Sequence, residues 1–290
     1  MLASRQTQPA NGESNRSKND ANVTASPEGA DGDRNSLRFY ESLSGGYDIF
    51  RGGPWRLRAE ASTYNSQHVD RPLDDLNLNT FNGAVVLSYS DTILGRPITP
   101  SLRYGWGAVK VGGNMFSDTH SLQTSISVNP TDNTLTRLSH EFSIDSFRER
   151  GFDPDISSRD AWANTIGLTQ YLFFDRRRHY IWGGYRFRLN DADGVNFDYH
   201  THTAQAGLSV ALPYRFRFDG SGEYSYQLYD HFVTPFARRA ARVTYSAALS
   251  RTLWDGLNLS LGYNFTDEDS NFPVLEYERD LLTLSMGYRF

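Results

Sequence analysis

The sequence has no cysteine among its 290 residues. This absence excludes disulfide bonds, cysteine-ligated zinc and a thiol nucleophile. Lysine is nearly absent too, because Lys18 and Lys110 are the only two, and the basic residues are therefore almost all arginines. Arginine suits fixed, paired positions better than a merely solvated surface. The net charge of -5 gives no reason to expect a nucleic-acid partner.

Long hydrophobic runs are also missing. No stretch reaches the roughly 18 apolar residues that a spanning helix needs, and the mean hydropathy is -0.57. The first residues, MLASRQTQPANGESNRSKND, lack the apolar segment of a secretory signal peptide. These absences exclude a helical membrane protein. They do not exclude a membrane β-barrel, in which only alternate residues meet lipid.

The composition divides the chain into two regions. Residues 1–35 consist largely of Asn, Ser, Asp, Gly and Pro, and offer almost nothing to bury. This composition predicts a disordered segment or, within a barrel, an external loop. From Ser36 to the end the chain is rich in aromatic residues, and we expect residues 36–290 to form one domain.

Within residues 36–290, apolar residues recur at every second position between turn residues. The run Leu257, Leu259, Leu261, Tyr263 and Phe265 is one example. This period predicts about thirteen β-strands, many of about 10–15 residues. Soluble strands average about 5–6 residues, whereas strands that cross a membrane need about 9–11. The predicted strands are therefore long enough to cross a bilayer.

The predicted connections alternate in length. The short ones are 51–54, 94–97, 129–133, 175–178, 212–214 and 254–256, and the long ones are 66–79, 110–119, 147–159, 190–197, 229–238 and 267–277. Short turns on one side and long loops on the other are typical of bacterial outer-membrane barrels. We therefore predict an all-β, antiparallel, up-and-down transmembrane β-barrel of about 12–14 strands in the bacterial outer membrane. A soluble β-sandwich or soluble barrel is the alternative fold.

The chain ends on a strand with one apolar and one polar face. In a closed barrel the last strand pairs with the first, so it needs the same pattern as the others. The C-terminal Phe resembles the terminal signature of bacterial outer-membrane proteins, which implies recognition by their assembly machinery. The residues predicted to face lipid are Leu282, Leu284, Met286, Tyr288 and Phe290.

Thirteen is an odd number, whereas bacterial single-chain barrels have even numbers of strands. Either one strand is miscounted, or a first strand precedes Met1. In the second case residues 1–35 form the first external loop, and we prefer this interpretation because it also explains the missing signal peptide.

Charged residues occupy the positions opposite the apolar stripe and are predicted to line the lumen. They can form a ladder of arginine–carboxylate pairs that fills and stiffens the interior. They can also line a pore with a mild preference for anions, because arginines outnumber acids. The predicted residues are Arg56, Arg58, Glu60, Arg103, Arg137, Glu141, Asp145, Arg186, Arg188, Arg215, Arg217, Asp219, Glu223, Arg242 and Arg289.

Evidence for catalysis or metal binding is weak. His200 and His202 share a strand face near the acidic Asp191, Asp193 and Asp198, where a divalent metal is one interpretation and solvated side chains the other. His140 follows Ser139, but neighbours on a strand point to opposite faces, which breaks the simplest dyad. We therefore predict no catalytic residues, no cofactor and no metal.

Three stretches carry a family resemblance: SLSGGYD at residues 42–48, residues 170–214, and NFTDEDSNFPVLEYERDLLTLSMGYRF at residues 264–290. Together they resemble the C-terminal barrels of outer-membrane proteins with periplasmic tetratricopeptide repeats, of which the surface lipoprotein assembly modifiers are the best known. The resemblance implies a barrel that passes or presents a macromolecule delivered by the repeat domain. This chain contains no 34-residue helical repeat, and no functional residues transfer.

From these observations we predict a non-enzymatic pore or export channel in a Gram-negative envelope, for a small solute or a macromolecule. Its expected partners are outer-membrane lipid, the assembly machinery, and a periplasmic repeat domain or exported cargo. A plugged barrel that anchors or displays its loops is the first alternative. An outer-membrane hydrolase is the second.

Overall fold

The computed structural model describes residues 38–68, 76–148, 154–232, 237–254, 257–272 and 275–288. The predicted segment 1–35 and the predicted site residues Arg289 and Phe290 lie outside these ranges.

The described chain is almost entirely β-strand. A short helix, α1 (Pro154–Ser157), and 3-10 turns at Val195–Phe197 and Pro213–Arg215 complete it. The strands are β1 (Arg38–Gly52), β2 (Trp55–His68), β3 (Leu78–Tyr89), β4 (Asp91–Ile93), β5 (Arg96–Val111), β6 (Asn114–Val128), β7 (Thr134–Phe147), β8 (Ala161–Phe174), β9 (His179–Ala192), β10 (Tyr199–Ala211), β11 (Phe216–Tyr229), β12 (Arg239–Trp254), β13 (Leu257–Ser270) and β14 (Tyr277–Tyr288).

These strands form a single antiparallel sheet in which neighbours along the chain are neighbours in space. Thirteen strands follow one another in sequence order, and β4 pairs with β5 beside this path. The prediction of an all-β, antiparallel, up-and-down fold of about 12–14 strands is confirmed. Within the described ranges no backbone ladder joins β1 to β14.

The connections alternate in length, with one exception. The end of the sheet with the turns 53–54, 129–133, 175–178 and 212–215 is here called the short-turn end, and the opposite end the long-loop end. The predicted long loop at 110–119 is wrong, because only Gly112 and Gly113 separate β5 from β6. Both glycines have positive φ, +55° and +82°, which a two-residue hairpin turn requires.

Register gives the sheet two chemically different faces. Leu57 pairs with Leu87, and Leu87 with Leu102, so the apolar residues of neighbouring strands meet on one side. We call this side the apolar face and the other the polar face. The same pairing recurs at the end of the sheet, where Leu261 lies between Leu249 and Leu284.

In most sheets the apolar face is the buried one, but here the apolar face is exposed and the polar face is covered. Large apolar side chains stand exposed along the apolar face, such as Trp162 at 63% and Leu282 at 66%. Small residues on the polar face are covered, such as Ala163 at 1% and Ser209 at 1%. Among the described residues, no helix has the length and apolar character to cross a bilayer.

Candidate functional site on the polar face

The centre of the polar face is a row of charged side chains that crosses five strands. Cross-strand pairing places Arg103 of β5, Glu141 of β7 and Arg188 of β9 in one register row, with Gln123 and Thr165 between them. Arg188 Nη2 donates to Asp145 Oδ2 at 3.2 Å. Within the described chain Glu141 itself makes no ion pair shorter than 4 Å, so the arginines flank it without clamping it.

The ion pairs around this row reach across an intervening strand. Arg186 of β9 donates to Glu223 of β11 at 3.0 Å, and β10 lies between them. Glu60 of β2 lies 3.2 Å from Arg58 and 3.9 Å from Arg103 of β5, across β3. Such pairs tie together strands that do not share backbone hydrogen bonds. Side chains two strands apart can meet in this way where the sheet curves towards them. These pairs therefore favour a sheet that is concave on its polar face.

Two carboxylates on the polar face are missing from the predicted list. Asp48 accepts hydrogen bonds from Arg56 at 2.8 and 3.1 Å. Glu268, which is 4% exposed, accepts from Arg242 at 2.8 Å and 2.5 Å. The alternation of the sequence places Asp48 on the polar face, between Tyr47 and Ile49. Glu268 falls within the predicted long loop 267–277, whereas β13 continues to Ser270.

The remaining predicted residues lie on β7, β11 and β14 and in one turn. Arg217 donates through Nε to Ser209 Oγ at 2.8 Å, and that hydroxyl donates to Asp219 at 2.5 Å. Arg137 shares its strand face with Glu141, and Arg215 lies in the 3-10 turn rather than on a strand. On the apolar face, Leu282, Leu284 and Met286 are exposed.

The polar face is covered at its long-loop end by connecting segments. The Asn190 side chain donates to the carbonyl of Phe197 at 2.9 Å, which folds the β9–β10 connection over the polar face. The Arg159 guanidinium lies over the rings of Phe116 and Phe197, at 6.0 and 5.0 Å from their centroids. Ser158 and Arg159 belong to the connection between β7 and β8. A Cβ on Gly194 would stand 2.5 Å from backbone atoms of Ser158, so the β7–β8 and β9–β10 connections pack in direct contact. We call this arrangement the loop cap.

A second aromatic contact closes the long-loop end of β11. Tyr229, the last residue of the strand, is 8% exposed, and the Arg238 guanidinium lies 4.1 Å from its ring centroid. Burial raises the pKa of the Tyr229 hydroxyl to about 12, because the ionised form would lose its hydration. The neutral tyrosine is therefore the form that this packing requires.

His140, His200 and His202, the histidines weighed for catalysis or metal binding, lie on the apolar face. His140 Nε2 is 3.3 Å from Asn164 Oδ1, and both side chains are on the apolar face, opposite Ser139. His202 Nδ1 is 2.5 Å from the Tyr185 hydroxyl, and His200 Nδ1 is 3.2 Å from Asp230. No group of three or more histidine or acidic side chains converges within the described ranges.

Comparison with known proteins gives no family assignment. No protein-family model matches the chain, and no curated protein matches it significantly.

Proposed function

We propose that this chain forms a β-barrel in the bacterial outer membrane and acts there as a pore or export channel. The observation that carries the proposal is the apolar face, on which large side chains stay exposed on strand after strand from β1 to β14. Contiguous apolar surface beyond a few hundred Å² is rare on soluble monomers. Lipid is the solvent that favours such a surface, because alternate outward residues meet hydrocarbon in a membrane barrel.

Closure into a barrel follows from the same solvent. An open sheet edge in hydrocarbon would leave backbone N–H and C=O groups without hydrogen bonds, at several kcal/mol each. Ion pairs that reach across an intervening strand favour a sheet that is concave on its polar face, and closing the sheet around this face would put the charged rows inside. Barrels of 16–18 strands leave an aqueous channel whereas eight-stranded barrels are filled by side chains, so about fourteen strands leave room for a narrow one.

The wall of this channel is a network of ion pairs rather than a ring of one sign. Asp48 and Glu268 neutralise Arg56 and Arg242, which reduces the excess of arginine. Charge on a pore wall sets ion selectivity. We therefore expect conduction with only a weak preference for anions.

A plugged barrel that anchors or displays its loops is the second candidate, and the loop cap favours it. The contacts of Arg159, Phe197 and Gly194 obstruct part of the long-loop end. In this case the barrel would insert without conducting. An exporter that opens only with a periplasmic repeat domain and its cargo would also insert without conducting.

Neither candidate requires catalysis. A hydrolase remains the third hypothesis, and the geometry offers it little, because His140 and Ser139 lie on opposite faces of β7. Lipid or peptide hydrolysis that is lost in His140→Ala or His200→Ala would support it.

Planar-bilayer conductance of the refolded chain tests the proposal, with a heat-modifiability gel as the check of folding. Steady conductance steps with weak anion selectivity support a pore. Glu60→Gln and Glu223→Gln should then shift the reversal potential towards anions, because each removes a wall carboxylate. A heat-modifiable, inserted protein without conductance would favour the plugged barrel, and failure to insert would contradict the membrane assignment.

A further inference from the structure

The tips of the short turns adopt a backbone conformation that their residues disfavour. All six non-glycine residues with positive φ in the described ranges lie in these turns, with φ between 45° and 68°. Such positions usually hold Gly, Asn or Asp. Asp175 is such a residue, but the other five, Leu94, Arg176, Arg177, Tyr214 and Arg215, are not. Backbone strain of this kind concentrates at functional positions.

Two of these strained residues are also unusually exposed apolar side chains. Leu94 is 97% exposed and Tyr214 is 83% exposed. Leu94 lies at the tip of a hairpin whose first strand, β4, pairs with β5 alone. Tyr214 lies beyond the last β10–β11 pair, Ala211 with Arg217. Because both residues follow the final ladder pairs, they project past the band of apolar strand residues, and lipid contact does not account for them.

Side-chain contacts join the turns into one continuous surface. Arg96 lies 3.5 Å from the Asp132 carboxylate, and Arg177 donates two hydrogen bonds, of 3.0 and 3.3 Å, to the Asp132 carbonyl. The backbone N–H of Ala211 donates to His179 Nδ1 at 3.1 Å, and this hydrogen bond joins the turn at 212–215 to the turn at 175–178. We call residues 94–96, 129–133, 175–178 and 212–215 the turn patch.

The turn patch is basic on an acidic chain. It contains five arginines and two aspartates, although the whole sequence has a net charge of -5. The residues are Arg96, Arg176, Arg177, Arg178 and Arg215, with Asp132 and Asp175. A surface with protruding apolar residues among arginines has the composition of a protein interface, in which aromatic residues and arginine are enriched.

We propose that the turn patch is a docking surface for an acidic protein that carries apolar residues between its carboxylates. The excess of arginine selects an acidic partner. Leu94 and Tyr214, in the first and last of the four turns, supply apolar contacts at the two ends of the patch. The proposal rests on the proposed function only in placing the short-turn end outside the lipid. Anionic lipid headgroups match the charge, but the tips project away from the acyl chains that would bury the two apolar residues.

The test uses the refolded chain in nanodiscs of zwitterionic lipid. The probe is a fluorescein-labelled amphipathic peptide of glutamate and leucine, and binding is read by fluorescence anisotropy. We expect binding that weakens with salt and that is about tenfold weaker in Arg176→Gln/Arg178→Gln, because two charge-assisted contacts are lost. Leu94→Ser/Tyr214→Ser should weaken binding without changing its salt dependence. The control Arg148→Gln, an exposed arginine at the long-loop end, should bind like the parent chain.

Three results would overturn the proposal. The first is no binding to the folded chain, and the second is equal binding by the parent chain and both turn variants. The third is displacement of the peptide by anionic lipid in the disc, which would assign the patch to headgroups. Folding of each variant is checked by heat modifiability, and Arg176→Lys/Arg178→Lys should retain binding. Failure of the parent chain to insert would instead contradict the proposed function.

Discussion

Replacing one apolar side chain on the apolar face by a charged one is predicted to lower the free energy of unfolding. Leu261 is 49% exposed between Leu249 and Leu284 on neighbouring strands. Leu261→Arg should reduce the free energy of unfolding by about 2–4 kcal/mol, the cost of an arginine facing lipid near the bilayer midplane. Ser260→Arg, one residue away on the polar face, should have a small effect. Urea titration of both variants in bilayers measures the difference, and equal losses would contradict the assignment of faces.

Tyr229 is predicted to make the long-loop end sensitive to alkaline pH. Its pKa is about 12 in the folded chain, against about 10 in an unfolded chain. Because the folded value is raised, the stability that neutral Tyr229 contributes is complete below about pH 10 and is lost as the pH rises towards 12.

The variant Tyr229→Phe should therefore lose less of its thermal stability between about pH 9 and pH 11 than the parent chain. Tyr224→Phe, which alters an exposed tyrosine on the apolar face, is the matched control and should behave like the parent. Unfolding midpoints by circular dichroism at the two pH values decide the matter. Identical pH profiles of the parent and Tyr229→Phe would show that Tyr229 ionises freely.

At the scale of elements, the loop cap depends on one close approach of backbone. Gly194→Ala would place a Cβ 2.5 Å from the N and O atoms of Ser158, so the β7–β8 and β9–β10 connections must separate. Trypsin should then cleave after Arg159 severalfold faster, because that side chain leaves its two aromatic rings. Gly83→Ala meets nothing within 4 Å and should leave the cleavage rate unchanged. An unchanged rate in Gly194→Ala would mean that the cap does not hold Arg159.

The thirteen strands of the main path were predictable from sequence because a two-residue period is a local signal, and each of them carries it. The three-residue strand β4 was not predictable, because it is too short to show a period. The charged rows were predictable for the same reason, as the pairing of Arg186 with Glu223 shows. The loop cap was not predictable, because its contacts join Arg159 to Phe116 and Phe197 across residues distant in sequence. The strained turn tips were not predictable either, since Leu94 and Tyr214 are residues that turn preferences disfavour.

At the scale of the whole molecule, the odd number of strands bears on how the proposed barrel closes. Thirteen alternating strands leave β1 and β14 pointing in the same direction. We expect one further antiparallel strand between them, because it restores the even number typical of bacterial barrels. The absence of cysteine makes a clean test possible, since every thiol is an introduced one.

Cysteine pairs between β1 and β14, such as Ser44→Cys with Thr283→Cys or Ser285→Cys, should not form a disulfide on oxidation. A disulfide needs a Cα separation of about 4.4–6.8 Å. Adjacent strands, about 4.8 Å apart, meet this limit, whereas strands separated by a third strand are too far apart. Ser260→Cys with Ser285→Cys, a directly paired position of β13 and β14, is the positive control. Rapid cross-linking of β1 to β14 would show direct, parallel closure.

If the sheet crosses a bilayer, successive residues of β13 should meet lipid and water in turn, and a cysteine scan along this strand measures that alternation. Single cysteines from Asn258 to Tyr263 would carry an environment-sensitive fluorophore in the refolded, inserted chain. We expect strict alternation: labels at 259, 261 and 263 are quenched by spin-labelled lipid, and labels at 258, 260 and 262 by aqueous iodide. Quenching by iodide at all six positions, or by lipid at all six, would contradict a barrel wall with one face towards lipid and the other towards water.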